Sequence, residues 1–241
     1  MIQINKIYLG DCLEIMREID DKSIDLILCD LPFNVLNKRS TWDVLIPLEI
    51  LWSQYERIIK DNGAVILNAM EPFSSKLIMS NPKLFRYDLI WEKPLATGFL
   101  NANRMPLRSH EQILVFYKKL PVYHPQFEEG KPYTMTRRQD GVPLLYGEVK
   151  EIRHTTVSDG KRYPKSVLRF AADKEKLHPT QKPLALGKYL CLSYSNEKDI
   201  VLDNTCGSGT YLLAAKETGR NFIGIEKDER FYNIAKFRLG F

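Results

Sequence analysis

Between Ile200 and Glu226 the chain reads strand, glycine loop, helix, strand and acid, and only 15 residues follow. Ile200-Val201-Leu202-Asp203 is an apolar run closed by a carboxylate, and Asn204-Thr205-Cys206-Gly207-Ser208-Gly209-Thr210 is a loop with two glycines. Residues 211–218 read as a helix and 221–225 as a strand ending at Glu226. This is the layout of a nucleotide-binding βαβ unit. Gly207 and Gly209 allow a tight turn and close approach to a ligand, and the helix N-terminus favours an anionic group. Glu226 stands 19 residues after Gly207, close to the ~20 expected of an acid that grips ribose hydroxyls. Fifteen residues cannot complete the sheet such a unit needs, so the remaining strands must come from the amino-terminal part. The expected fold class is α/β: a mixed, mostly parallel sheet flanked by helices, circularly ordered with its ligand loop near the C-terminus.

One amino-terminal stretch has the character of such a strand. Ile24-Asp25-Leu26-Ile27-Leu28-Cys29 is apolar on both faces, as buried strands of α/β sheets are. Asp30-Leu31-Pro32-Phe33-Asn34 follows, and Pro32 cannot continue a central strand. Asp30 and Phe33 are thereby placed at the carboxyl end of the strand, the edge where open α/β sheets bind ligands. A carboxylate beside a rigid turn and a flat ring can hold a planar amine by its edge and face. Alone, the same residues also suit a capped turn and a core phenylalanine.

Elsewhere, helices are expected over 13–19, from Pro47 to a stop at Asp61-Asn62-Gly63, over 72–80 and over 229–239, with strands over 6–9, 64–67, 87–91 and 111–117. Asp11 suits an N-cap or a ligand contact. Residues 118–176 differ: proline and glycine are frequent, and aromatics mix with bases, as in Arg137-Arg138 and Lys161-Arg162-Tyr163. This segment holds 13 Lys and Arg against 8 Asp and Glu, the whole of the chain's +5 formal charge. A localised basic, aromatic segment is the footprint of a nucleic-acid contact. The expected organisation is one domain in two halves, 1–117 and 177–241, interrupted by a recognition segment at 118–176.

A 44% hydrophobic and 27% charged composition is that of a globular protein, without an apolar run of the roughly 18 residues a membrane span needs. The first residues lack the pattern of a signal peptide, which points to a cytoplasmic protein. Cys12, Cys29, Cys191 and Cys206 are scattered, as are the four histidines, so no metal site is expected. Leu212 stands at the third glycine position of a dinucleotide fingerprint, which disfavours NAD and FAD.

Acid-Pro-aromatic turn, basic insert, His178-Pro179-Thr180-Gln181-Lys182-Pro183 and glycine loop, in that order, resemble the β-class amino-methyltransferases of DNA, notably small phage and prophage enzymes. The resemblance covers nearly the whole chain and is weakest over 118–161. It implies a Rossmann-like methyltransferase fold, S-adenosylmethionine as methyl donor and double-stranded DNA as substrate, and it admits a homodimer. It implies that Asp203, Gly207, Ser208 and Gly209 form the donor loop, that Glu226 holds the ribose and that Asp11 lies near the adenine. Thr180, Gln181 and Lys182 would close over the methionine end. Asp30, Leu31, Pro32 and Phe33 match the family's catalytic Asp-Pro-Pro-Tyr, and Arg137, Arg138, Lys161, Arg162 and Lys165 would meet DNA. The chain departs from the pattern at Leu31, at Phe33, at Asp203-Asn204-Thr205-Cys206 (where Asp-Pro-Phe is common) and at Tyr211, which stands where a small residue or Thr is usual. The implied reaction is methylation of a flipped adenine at N6. Cytosine-N4 methylation and a catalytically silent DNA-binding relative are the alternatives.

Overall fold

The computed structural model describes residues 2–33, 43–139 and 152–241; Asn34 and most of the polar loop after it lie outside them. The chain forms β1 (Lys6–Leu9), α1 (Cys12–Ile15), β2 (Ile24–Cys29), α2 (Leu48–Ile58), β3 (Ile59–Ala69) and α3 (Phe73–Ser80). Then follow β4 (Phe85–Thr97), β5 (Arg108–Phe116), β6 (Glu128–Glu129), β7 (Tyr133–Gln139), β8 (Ile152–Ser158), β9 (Lys161–Arg162) and β10 (Val167–Arg169). The chain closes with α4 (Leu184–Tyr194), β11 (Ile200–Asp203), α5 (Thr210–Glu217), β12 (Asn221–Glu226) and α6 (Glu229–Leu239).

Eight strands make one sheet in the order β1-β12-β11-β2-β3-β5-β4-β10. Only the pairings of β5 with β3 and β4 are antiparallel. β2 lies against β11, so the acid-Pro-aromatic turn and the glycine loop leave the same edge of the sheet side by side. Alternation along the strands sorts the core into two layers. Leu26, Leu28, Ala64, Ile66, Ile113 and Val115 face Leu186, Leu190, Ala214 and Leu239 of α4, α5 and α6. Ile27, Cys29, Val65, Leu67, Leu114 and Phe116 face Leu51, Tyr55, Ile58 and Leu77 of α2 and α3. Each large apolar side chain so buried contributes about 1.5–3 kcal/mol, which is why the central strands are apolar on both faces. Among the described residues no helix is long and apolar enough to cross a membrane.

Two sequence expectations are corrected. Residues 13–19 are not one helix: α1 ends at Ile15 and a 3-10 turn continues to Glu18. Asp61-Asn62-Gly63 does not stop α2. Ile59 is already extended, and β3 runs through the triplet. Gly63 serves close approach instead, because a Cβ there would stand 2.7 Å from the Asp25 carbonyl oxygen. The smaller compact unit is Pro125–Lys165, while the flanking residues belong to the larger unit, where β10 pairs with β4.

The smaller unit contains two antiparallel ladders, β6 with β9 and β7 with β8. Arg137 and Arg138 lie on β7, opposite His154 and Arg153 of β8. Lys161 and Lys165 are exposed. Arg162 is already engaged: it donates to Ser158 Oγ and the Lys131 carbonyl and stacks over the Tyr133 ring at 4.7 Å. Its first duty is to hold this unit together.

Candidate active site

A cavity of about 880 Å³ opens at the carboxyl edge of the sheet. Its wall includes Asp11, the Asp30–Phe33 turn, Lys93, Glu111, Thr180–Lys182, the 203–208 loop and Glu226. Every residue the sequence assigned to catalysis lines it, as do all the assigned donor-loop residues except Gly209, which sits just behind as the N-cap of α5.

At the donor-loop end, Gly207 and Gly209 adopt φ of +52° and +76°, the left-handed region that favours glycine. A Cβ on Gly209 would meet Ala235 Cβ at 3.1 Å, so the residue is needed for packing against α6 as well. Glu226 Oε2 accepts the Gly207 N–H at 2.7 Å and Oε1 the Asp228 N–H at 2.8 Å. The carboxylate thus pins both loops that frame the cavity. Burial pushes it above the usual carboxylate range, against the pull of those N–H groups. Asp11 accepts the Leu13 N–H at 2.9 Å, so it does cap α1, and it lines the cavity too.

Asn204 explains one departure from the family pattern. Its backbone N–H donates to Cys29 Sγ, and its Oδ1 accepts from the Tyr55 hydroxyl at 2.6 Å and from the Cys29 thiol. A proline could make none of these bonds. Tyr55→Phe should therefore lower stability by about 1 kcal/mol, seen as a fall in Tm of roughly 2–4 °C without loss of donor binding. Tyr211 does not crowd the loop. It is buried, its hydroxyl donates to Asn68 Oδ1, and Gly187 makes room for its ring: a Cβ there would stand 2.9 Å from it.

At the other end, the Asp30 backbone carbonyl accepts from Thr205 Oγ1 at 3.1 Å, which ties the two loops together. Phe33 stacks on Phe73 with centroids 5.3 Å apart and planes 29° apart. Asp30 Oδ2 accepts from Lys182 Nζ at 2.6 Å, while Oδ1 is buried without a hydrogen-bond partner among the described residues. Burial raises the Asp30 carboxyl, Lys182 opposes that, and Glu111 reinforces it. Lys182 is 6% exposed and also lies 3.2 Å from Glu111 Oε2; Glu111 Oε1 in turn meets Lys93 at 3.4 Å. The resemblance sent Lys182 to the methionine end of a donor. In the structure its ammonium is against Asp30, because a buried ammonium requires carboxylate partners. Glu111 and Lys93 were missed. Their only signal is a lone acid and a lone base at the ends of apolar strand runs. Thr180 and Gln181 stay near the glycine loop: Gln181 Oε1 accepts from Ser208 Oγ, and Thr180 meets His178.

The cavity is thus one chamber with a glycine-loop end and a carboxylate end. The profile of the N6/N4 DNA methylases matches residues 24–237. The chain belongs to this family. It is 28% identical to the Type II methyltransferase M1.MboII of Moraxella bovis, over 99% of this chain and 98% of that one. To the Type II methyltransferase M.HpaI of Haemophilus parainfluenzae it is 30% identical, over 95% of this chain and 72% of the relative. The crystal structure of an M1.HpyAVI–SAM complex superposes with a TM-score of 0.65 at 25% identity, covering 97% and 98% of the two chains. The chain is a DNA methyltransferase of the N6/N4 type, and S-adenosylmethionine is its methyl donor.

The methylase's cavity suits that donor. Asp11, Asp203 and Glu226 line its glycine-loop end, carboxylates suited to a sulfonium cation and ribose hydroxyls. Asn204, 1% exposed, lies in the same wall. No cluster of three or more His, Cys, Asp and Glu that could hold a metal occurs among the described residues.

Proposed function

We propose that this methylase transfers the methyl group to the N6 amine of an adenine flipped out of double-stranded DNA. The observation that carries the reading is Asp30: a carboxylate in the wall of a chamber large enough for donor and purine, with one oxygen lacking a hydrogen-bond donor. An aromatic amine is a weak nucleophile because its lone pair is delocalised into the ring. Asp30 accepts one amine hydrogen and the Leu31 carbonyl the other, which turns the lone pair out of the ring plane. Leu31 can replace the family's proline because only its backbone acts, its side chain being 3% exposed. Phe33, braced by Phe73, offers its ring to the flipped base and helps offset unstacking. Bound S-adenosylmethionine supplies the electrophilic methyl group. Orientation and preorganised charge do most of the work, and Asp30, raised by burial, is placed to take the proton the amine sheds.

Asp203, Gly207, Ser208 and Gly209 are assigned to the donor's loop, Glu226 to its ribose hydroxyls, Asp11 to its adenine end, and Thr180 and Gln181 to its cover. The Pro125–Lys165 unit, with Arg137, Arg138, Lys161 and Lys165, is assigned to choosing the DNA sequence. Glu226→Ala should weaken donor binding by about 1.5–3 kcal/mol, the value of a hydrogen bond to a charged group, in calorimetry with EDTA present. Unchanged affinity would take Glu226 out of the site. Nucleoside mass spectrometry of DNA treated with labelled donor tests the reaction itself. N6-methyladenine is expected, and N4-methylcytosine would transfer the same geometry to the cytosine amine.

A further inference from the structure

Four charged side chains of alternating sign line up across the carboxylate end: Asp30, Lys182, Glu111 and Lys93. Their hydrogen bonding is incomplete in a specific way. Lys182 Nζ bonds Asp30 Oδ2 at 2.6 Å and reaches the Thr180 carbonyl at 3.5 Å. Glu111 Oε2 pairs with the same ammonium at 3.2 Å, farther off than Asp30 Oδ2. Asp30 Oδ1 is buried and has no hydrogen-bond partner among the described residues. One ammonium is therefore shared unequally between two carboxylates. The unserved oxygen leaves Asp30 favouring another donor.

We propose that Lys182 is a placeholder for the target amine at Asp30, and that Glu111 is the positioning residue that receives its ammonium when the base enters. This rests on the reading of Asp30 as the amine's acceptor. An incoming amine donates to Asp30, Lys182 turns by a small rotation to Glu111 Oε2, and each carboxylate then has a donor. Without Glu111 the ammonium has nowhere charged to go, and the amine must compete with it for Asp30. Lys93, 3.4 Å from Glu111 Oε1, holds the receiving carboxylate in place. Empty, the arrangement keeps Asp30 paired with a cation; loaded, it offers a full carboxylate to a group that brings its own hydrogen.

The charges around Lys182 define the test. Burial lowers its ammonium, and Asp30 and Glu111 overcome that and leave it raised. His178 feels Lys182, Asp43 and Asp203 act on Asp30, and the Tyr211 hydroxyl feels both Asp30 and Glu111. Glu111→Gln preserves shape and removes one charge. NMR titration of the Lys182 ε-methylene in the free protein should move to lower pH in this variant, since one of the two carboxylates that raise it is gone. In the unsubstituted protein the same resonance should shift when target duplex and S-adenosylhomocysteine are added, and in Glu111→Gln that shift should be lost. Turnover at saturating duplex and donor should fall about tenfold or more, with calorimetric donor affinity within about twofold, and Glu111→Asp should restore part of it. A Lys182 titration unchanged by Glu111→Gln overturns the inference, whatever the enzyme's activity. So does lost turnover with a Lys182 resonance that still responds to duplex. A protein that methylates no adenine while the Lys182 titration moves as expected would sink the reading of the reaction and leave the charge pairing standing.

Discussion

Asp30→Asn should abolish methylation while duplex and donor still bind. The substitution keeps the shape of the side chain and an oxygen for Lys182, so the chamber should survive. What disappears is the negative charge towards which the amine hydrogen is drawn and the group that takes its proton. Loss of a preorganised partner of this kind costs about 10²–10³ in turnover, and more where the same group also accepts the proton. Single-turnover assays with labelled donor give the rate, and calorimetry and gel shift give the two affinities. Phe33 should fail differently. Phe33→Tyr and Phe33→Trp keep a flat face and should keep activity; Phe33→Ala should lose stacking, about 1–3 kcal/mol, through weaker seating of the base. A catalytically silent protein would yield no methylated base and respond to neither change. Equal, parallel losses of binding and turnover in Asp30→Asn would show that the residue is structural.

These contrasts rest on parts of the site that were legible in the sequence to different degrees. β2 and β11 run over the residues their apolar pattern marks, because a strand buried on both faces leaves a continuous signal. That the Asp30 strand and the glycine-loop unit share one sheet was legible; that the two are neighbours, β2 against β11, came only from the structure. Glycine misled at 61–63, since the same residue that ends helices also admits a close backbone approach inside a strand. The Lys182 contact was invisible for another reason. Asp30 and Lys182 are 152 residues apart, and only the fold brings the loop before α4 across the end of β2. Glu111 looked like any polar residue at a strand start until Lys93 and Lys182 were seen on either side of it.

Lys182→Met should be the most destabilising single change in the site. The ammonium is 6% exposed and holds Asp30 at 2.6 Å, so its loss leaves a largely buried carboxylate without its cation. Breaking such a pair from one side costs about 3–5 kcal/mol, and Asp30's remaining 23% exposure favours the lower end. At ~2–4 °C per kcal/mol for a chain of this size, Tm at neutral pH should fall by roughly 6–12 °C. The pH dependence identifies the cause. Asp30 already sits above the usual aspartate range through burial, and losing Lys182 raises it further. A carboxyl raised on folding contributes stability that is whole below its unfolded value and is lost as pH rises through its folded value. The deficit of Lys182→Met should therefore be greatest at neutral pH and shrink as the pH is lowered into the carboxylate range. Adding Asp30→Asn should recover most of the loss at neutral pH, because it removes the stranded charge rather than replacing its partner. A Tm deficit that ignores pH, or a double variant no more stable than Lys182→Met, would mean that the lysine stabilises the chamber by packing alone.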